Sequence, residues 1–327
     1  MEKVDILLAT YNGEQYLREQ LDSILRQTYG DFRLLISDDC STDETRNILR
    51  EYKRKDNRIV LYFQKNNLGV VKNFEFLMKR VTSEYFMFSD QDDIWKDFKI
   101  EKSIQKIKET NSDLIYSDLE VVDENLEVKY ESYWKLKGIY EKIIKYNNFE
   151  SLYLNNFITG CTILAKSKWI KNVLPLPNTS KYVLHDYWLA LIVSQTGTIS
   201  YIEEPLIKYR QHKNNKIGSK RRSDEMESLD DIRNLFITVK KEHFSIFVEN
   251  EKKFISDMVK VLNYDALKYY EMLETKSSFN FSSWGLFFKL YKYEEARYKM
   301  ENFIILNLPA IARILFKFVK KGKQDEQ

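Results

Sequence analysis

Tyr85-Phe86-Met87-Phe88-Ser89-Asp90-Gln91-Asp92-Asp93-Ile94-Trp95 runs from an apolar stretch into an acidic one within a few residues. Its first side chains have the length and character of a short buried strand. Asp90, Asp92 and Asp93 then fall at that strand's carboxyl end, with a helix able to restart near Asp97. Three carboxylates so close together repel one another. A cation relieves that repulsion, and oxygen ligands at this spacing suit Mg2+ or Mn2+, which in turn can hold the phosphates of a substrate. A solvated acidic turn capping the next helix accounts for the same residues, because Asp is favoured there. The stretch alone leaves both readings open.

Upstream, Val4 to Ala9 is an apolar strand, and Gly13 to Gln27 carries Leu17, Leu21, Ile24 and Leu25 at the period of an amphipathic helix. Phe32 to Ile36 reads as a second strand ending in Ser37-Asp38-Asp39, and Ser41 with Glu44 forms a capping box for a helix to about Lys53. Ile59 to Phe63 is a strand, Asn66-Asn67-Leu68-Gly69 a turn, and Val71 to Met78 a helix leading back to Tyr85. Downstream, a helix from about Asp97 to Thr110 and a strand Leu114 to Ser117 continue the alternation. The pattern predicts an α/β fold with a mostly parallel sheet covered by helices. Ligands of such sheets bind beyond the carboxyl ends of the strands. That is where Thr10, Tyr11 and Asn12, Asp38 and Asp39, Asp90 to Asp93, and Asp118 all stand, so one converging pocket is expected.

At 327 residues and 43% hydrophobic content, the chain can hold one large domain or one domain with a substantial appendage. The formal net charge of +3 hides an asymmetry: residues 208 to 327 carry 24 Lys+Arg against 17 Asp+Glu, and the residues before them 28 against 32. A basic rear half suits a membrane surface, a polyanion or, more commonly, a solvated helical face; no nucleic-acid partner is expected. Cys40 and Cys161 give neither a disulfide framework nor a paired metal spacing, which points to a reducing cytosol. The apolar run Ile6 to Ala9 is strand-length, not that of an export signal, and no stretch reaches the roughly 20 apolar residues that span a bilayer.

Five motifs taken in order carry a resemblance. Ala9-Thr10-Tyr11-Asn12-Gly13, Gln27-Thr28-Tyr29, Ser37-Asp38-Asp39-Cys40-Ser41-Thr42-Asp43, Asn67-Leu68-Gly69 and Ser89-Asp90-Gln91-Asp92-Asp93 closely resemble the family 2 glycosyltransferases, which have a GT-A fold. Phe88 to Trp95, His185-Asp186-Tyr187-Trp188 and Tyr209-Arg210-Gln211-His212 look most like the bacterial rhamnosyltransferase-type members. The resemblance covers about residues 3 to 215 and implies transfer of a sugar from a dTDP- or UDP-linked donor, L-rhamnose being the candidate, with Mn2+ or Mg2+ as cofactor.

By the same resemblance, Thr10, Tyr11, Asn12, Asp38, Asp39 and Gly69 hold the donor nucleotide, a carboxylate accepting the imide N–H of the base. Asp90 lies near the ribose, and Asp92 is the favoured metal ligand, with Asp93 and His212 as further ligands. Arg210 is expected to pair with phosphate. Asp186 stands where the family places its general base, with helix capping as its structural alternative. Thr159 and Gly160, on a strand, and His185 and Trp188 are expected to line the acceptor pocket. Many relatives carry Glu where this chain has His185.

Residues 1–220 are therefore expected to form the glycosyltransferase domain and 221–327 a helical extension broken near Ser277 to Ser283. In its last segment Ile311, Ile314, Leu315 and Phe318 share one face and Arg313, Lys317 and Lys320 another. That suits a helix lying on an anionic membrane at the cytoplasmic side, where a lipid-linked saccharide acceptor would be met, or equally a helix packed on the domain. Two rivals remain: an inactive sugar-nucleotide-binding scaffold, and a nucleotidyltransferase, which would normally show a Gly-rich basic phosphate loop near the amino terminus.

Overall fold

Val4, Ile6, Leu7 and Leu8 are all fully buried, which consecutive strand residues achieve only when both faces of the sheet are covered. The computed structural model describes residues 2–177, 182–213, 229–255, 257–275, 287 and 306. The chain forms two units, Met1–Thr179 with Leu184–Ser219, and Ser180–Val183 with Lys220–Gln327.

The first unit begins β1 (Val4–Thr10), α1 (Leu17–Leu25), β2 (Phe32–Asp38), α2 (Thr45–Lys55), β3 (Ile59–Phe63), α3 (Val70–Met78) and β4 (Tyr85–Ser89). It continues with β5 (Ile94–Trp95), α4 (Lys99–Glu109), β6 (Leu114–Ser117), β7 (Glu120–Val122), β8 (Val128–Tyr130), α5 (Tyr133–Lys137), α6 (Tyr140–Lys145) and α7 (Phe149–Leu154). A 3-10 turn at Gly160–Thr162 leads to β9 (Leu164–Lys166), α8 (Ile170–Val173), α9 (His185–Ser194), β10 (Ile199–Ile202) and β11 (Ile207–Arg210). The main sheet has the order β10-β6-β9-β4-β1-β2-β3. Its pairs are parallel except those of β9, which runs antiparallel to both β4 and β6. The expected mostly parallel, helix-covered α/β sheet is the fold found.

A second sheet, β5-β11-β7-β8, begins directly after the acidic motif. Its β5–β11 ladder is antiparallel, with Ile94 opposite Lys208 and Trp95 opposite Ile207. Trp95 is fully buried, as a core residue.

The capping box expected at Ser41 and Glu44 does not form. The Ser41 hydroxyl donates to Asp38 and accepts the Asn12 N–H at 2.9 Å, so it serves the pocket edge. The start of α2 is held by Asp43, which accepts the Thr45 N–H at 3.0 Å.

In the second unit, α10 (Leu229–Glu249) and α11 (Asp257–Thr275) are joined by aromatic packing, with Phe244 stacked on Tyr270 at 5.7 Å between ring centres. The break near Ser277 to Ser283 and the amphipathic stretch beyond Pro309 lie outside the described residues. Among the described residues no helix is long and apolar enough to cross a membrane.

Candidate active site

Parallel registry sets Thr10 beside Asp38 at the carboxyl ends of β1 and β2. The Thr10 hydroxyl donates to Asp38 at 3.4 Å, and Asp38, fully buried, also receives Arg46 and Ser41. Asp38 therefore supports the edge from beneath. Asp39 is 4% exposed and accepts the N–H groups of Leu68 at 2.7 Å and Gly69 at 2.9 Å, which ties β2 to the start of α3. Gly69 has φ 78°, a conformation that favours glycine. Tyr11 is 47% exposed above this floor, and Asn12 turns with φ 47°.

The β5–β11 register, continued by two residues, sets Asp92 opposite Arg210 and brings His212 beside the acidic motif. His212 Nε2 lies 2.9 Å from Asp92 Oδ2. Residues distant in sequence thus meet as a carboxylate–imidazole pair. Arg210 is different. Its side chain is 2% exposed, and its guanidinium donates to the carbonyls of Asp92 at 2.9 Å and Glu124 at 2.8 Å and to the Glu19 carboxylate. In this structure the fork holds the Asp92 loop in place, and the guanidinium expected to meet a phosphate is engaged within the protein.

Asp93 is fully buried and takes the Arg210 N–H on Oδ1 at 3.3 Å, while its Oδ2 has no partner. Ligand atoms of Asp90, Asp93 and Cys161 lie within 4.8 Å of one another. Burial, then the Asp92 and Asp186 charges, push Asp90 up to about 7. Burial, then Asp92 and Asp90, raise Asp93 well above the carboxylate range. Lys99, also buried, sits 3.5 Å from the centre of the Trp95 ring, and burial pulls it down to about 7. Crowded carboxylates with an unpartnered buried oxygen fit a divalent cation, the charge that would let them ionise together.

A pH signature follows. Because the folded Asp90 carboxyl titrates near 7 and an ordinary one near 3.8, the folded state binds its proton more tightly. The stability it contributes is full below the ordinary value and is lost as pH rises through about 7. In chelator, the melting temperature of Asp90→Asn is expected to fall less over that window than that of the unaltered protein. Added Mn2+ is expected to offset the fall.

Asp186 lies in the first turn of α9 and accepts the Tyr187 N–H at 2.7 Å. A Cβ on Gly160 would meet Asp186 Cβ and Oδ2 at 3.0 Å. Gly160, expected on a strand lining the acceptor pocket, is instead in the 3-10 turn and makes room for Asp186. Thr159, half-buried, precedes that turn and accepts the Thr162 N–H on its carbonyl at 3.0 Å.

His185 and Trp188, expected to line the acceptor pocket, are both buried in this structure. The imidazole stacks on Phe74 at 3.9 Å and meets Phe88 edge-on at 4.6 Å, and burial pulls it down to about 4, so it is neutral at physiological pH. The indole is fully buried, donating to the Val173 carbonyl at 3.2 Å. Trp188→Ala is accordingly expected to cost about 3–5 kcal/mol of stability, read from denaturant unfolding. A changed acceptor KM with unchanged stability would return Trp188 to the pocket. Asp118 also leaves the converging set: it is 1% exposed, bound to Ser132 and the N–H groups of Leu119 and Trp134, and anchors α5.

The sequence reading passed over Gln91 and Glu19. Gln91 Oε1 accepts the Tyr11 N–H at 2.8 Å, and Glu19 is the acidic partner of Arg210. Their partners lie far off in sequence, so no local pattern marks them.

The family model described as "Glycosyl transferase family 2" matches residues 5–174, more than half of the chain. The dTDP-rhamnosyl transferase RfbG of Shigella flexneri is 33% identical over 223 residues, 65% of this chain and 74% of that protein. The chain's fold is similar to that of S. aureus TarS 1-349 in complex with UDP-GlcNAc, at a TM-score of 0.59 and 16% identity over 99% of this chain and 92% of that one. The mannosyltransferase PcManGT of Pyrobaculum calidifontis, solved with GDP-Man and Mn2+, gives a TM-score of 0.53 at 14% identity over 95% of this chain and 86% of the other.

Proposed function

Since the chain belongs to glycosyl transferase family 2, we propose that it moves L-rhamnose from dTDP-rhamnose, with inversion, to a hydroxyl of a growing lipid-linked surface saccharide. The coarser part, a glycosyltransferase with a nucleotide-sugar donor, rests on the family. The finer part draws on the likeness to RfbG. One observation carries the chemistry: Asp186 stands against Gly160, whose chain neighbour Cys161 has its ligand atom within 4.8 Å of those of Asp90 and Asp93. Proton acceptor and diphosphate-side acids are read as serving one site.

In this reading Thr10, Tyr11, Asn12 and Gly69 hold the nucleoside. Each Asp39 oxygen already accepts one backbone N–H and keeps a lone pair for the imide N–H of the base. Asp90 faces the ribose, and Asp92 with His212 holds the cation, Asp93 lying behind them. When bound, Mn2+ or Mg2+ neutralises charge on the departing diphosphate. Asp186 takes the acceptor hydroxyl's proton as that oxygen bonds to the anomeric carbon and the bond to the diphosphate breaks.

The acceptor's lipid places the reaction at the cytoplasmic face of a membrane, and the basic stretch 303–324 is the candidate contact with anionic lipid. A panel of nucleotide sugars, scored by Mn2+-dependent thermal stabilisation and by product formation, tests the donor. Stabilisation by dTDP-rhamnose above UDP-sugars is expected, and the opposite ranking would replace the donor. Binding without turnover on any acceptor would favour the scaffold.

A further inference from the structure

We infer that Gln91 is a positioning residue, which clamps the Tyr11–Gly13 turn to the acidic motif and so sets the affinity for the donor's nucleoside. The inference rests on the glycosyltransferase reading above, and its grounds are geometric. β1 pairs with β4 only as far as Leu8 and Ser89. Beyond that point the chain of β1 has lost its neighbour on this side, yet it must still present Tyr11 and Asn12 at the pocket edge. Gln91 takes the neighbour's place with its side chain. Its Oε1 accepts the Tyr11 N–H at 2.8 Å and its Nε2 donates to the Tyr11 carbonyl at 3.1 Å, the pair of bonds that a residue of an antiparallel neighbour makes through its own C=O and N–H.

The other side of the turn is held independently. Ser41 Oγ accepts the Asn12 N–H at 2.9 Å, and Thr45 Oγ1 accepts the Gly13 N–H at 2.8 Å. The turn is therefore gripped from the β2–α2 connection and the start of α2 on one flank and from the acidic motif on the other. Gly13 fits this arrangement: a Cβ there would lie 2.6 Å from Gln91 Cδ, so a larger residue would push the amide away. The pairing also explains why the motif's middle position carries an amide between carboxylates. The clamp needs a donor and an acceptor on one planar group. Glutamate has no donor, and asparagine is one carbon shorter.

The expected effect is on donor binding rather than on the chemical step. Gln91→Ala is expected to raise the donor KM about tenfold, the loss of hydrogen bonds between neutral groups, with kcat and Mn2+ affinity within about twofold of the unaltered protein. Gln91→Glu should behave like Gln91→Ala. Gly13→Ala alone should raise KM similarly but add nothing in the Gln91→Ala background, because the clash it creates is already gone. Unchanged KM in Gln91→Ala, a fall in kcat at constant KM, or additive effects of the two substitutions would each overturn the inference. A second readout needs no substrate: hydrogen exchange at the Tyr11 amide should be slow and should accelerate in Gln91→Ala. Equal exchange in the two proteins would sink the clamp. If the unaltered protein turns over no nucleotide sugar while the exchange result holds, the proposed function fails and the clamp stands.

Discussion

Asp186→Asn is expected to lower kcat by on the order of 10³-fold while leaving the donor Kd within about twofold. The substitution isolates proton transfer because little else changes. An asparagine keeps the oxygen that accepts the Tyr187 N–H at 2.7 Å, so the first turn of α9 stays closed. Its shape still fits against Gly160, which leaves no spare room on that side. What it loses is the ability to take a proton from the acceptor as the new bond forms. Single-turnover rates with bound donor, alongside a donor titration, separate the two effects. Near-normal turnover would leave Asp186 with helix capping alone and move the base elsewhere.

The second large effect is at Asp92. Asp92→Ala is expected to remove Mn2+-dependent donor binding, weakening the donor by about 10²-fold or more in the presence of metal. His212 would lose its carboxylate partner. The loop itself should hold, because the Arg210 fork grips the backbone carbonyl of residue 92 and not its side chain. Loss of binding would therefore report on cation ligation and not on local unfolding. Donor affinity measured with and without Mn2+ decides the matter. An affinity that still depends on Mn2+ to the full extent would pass the ligand role to Asp90 and Asp93, whose ligand atoms cluster with that of Cys161.

Much of this architecture was legible in residue order. The strands ending at Thr10, Asp38 and Ser89 announce themselves by buried apolar runs closing on polar residues, and the physics that makes them strands also sets their ends on one edge. Strand β9 was not legible, since three residues carry no periodicity and its direction follows from where the chain re-enters the sheet. The burial of Trp188 had a signal that was passed over. Tyr187 through Val193 is apolar all round, the mark of a helix buried on every side, and a tryptophan within it belongs to the core. The burial of His185 had no such signal, because nothing local tells a histidine that Phe74 and Phe88 will pack against it. Arg210 was assigned by resemblance and by its bidentate charge. Its carboxylate partner Glu19 lies 191 positions away, and only the fold reveals that the arginine is already engaged.

The reversed direction of β9 carries a consequence for change. Because β9 runs against β6, the excursion between them both leaves and rejoins the main sheet at the strands' polar edge, carrying β7, β8 and α5 to α7 as it goes. Lengthening such a detour costs little, about 0.6 kcal/mol for each doubling of a flexible loop. No main-sheet strand need shift register to admit it. The excursion can thus be rewritten at small thermodynamic cost, while β1, β2 and β4 keep their pairing. A scaffold with that property is suited to exchanging one receiver for another without relearning how to hold a sugar nucleotide.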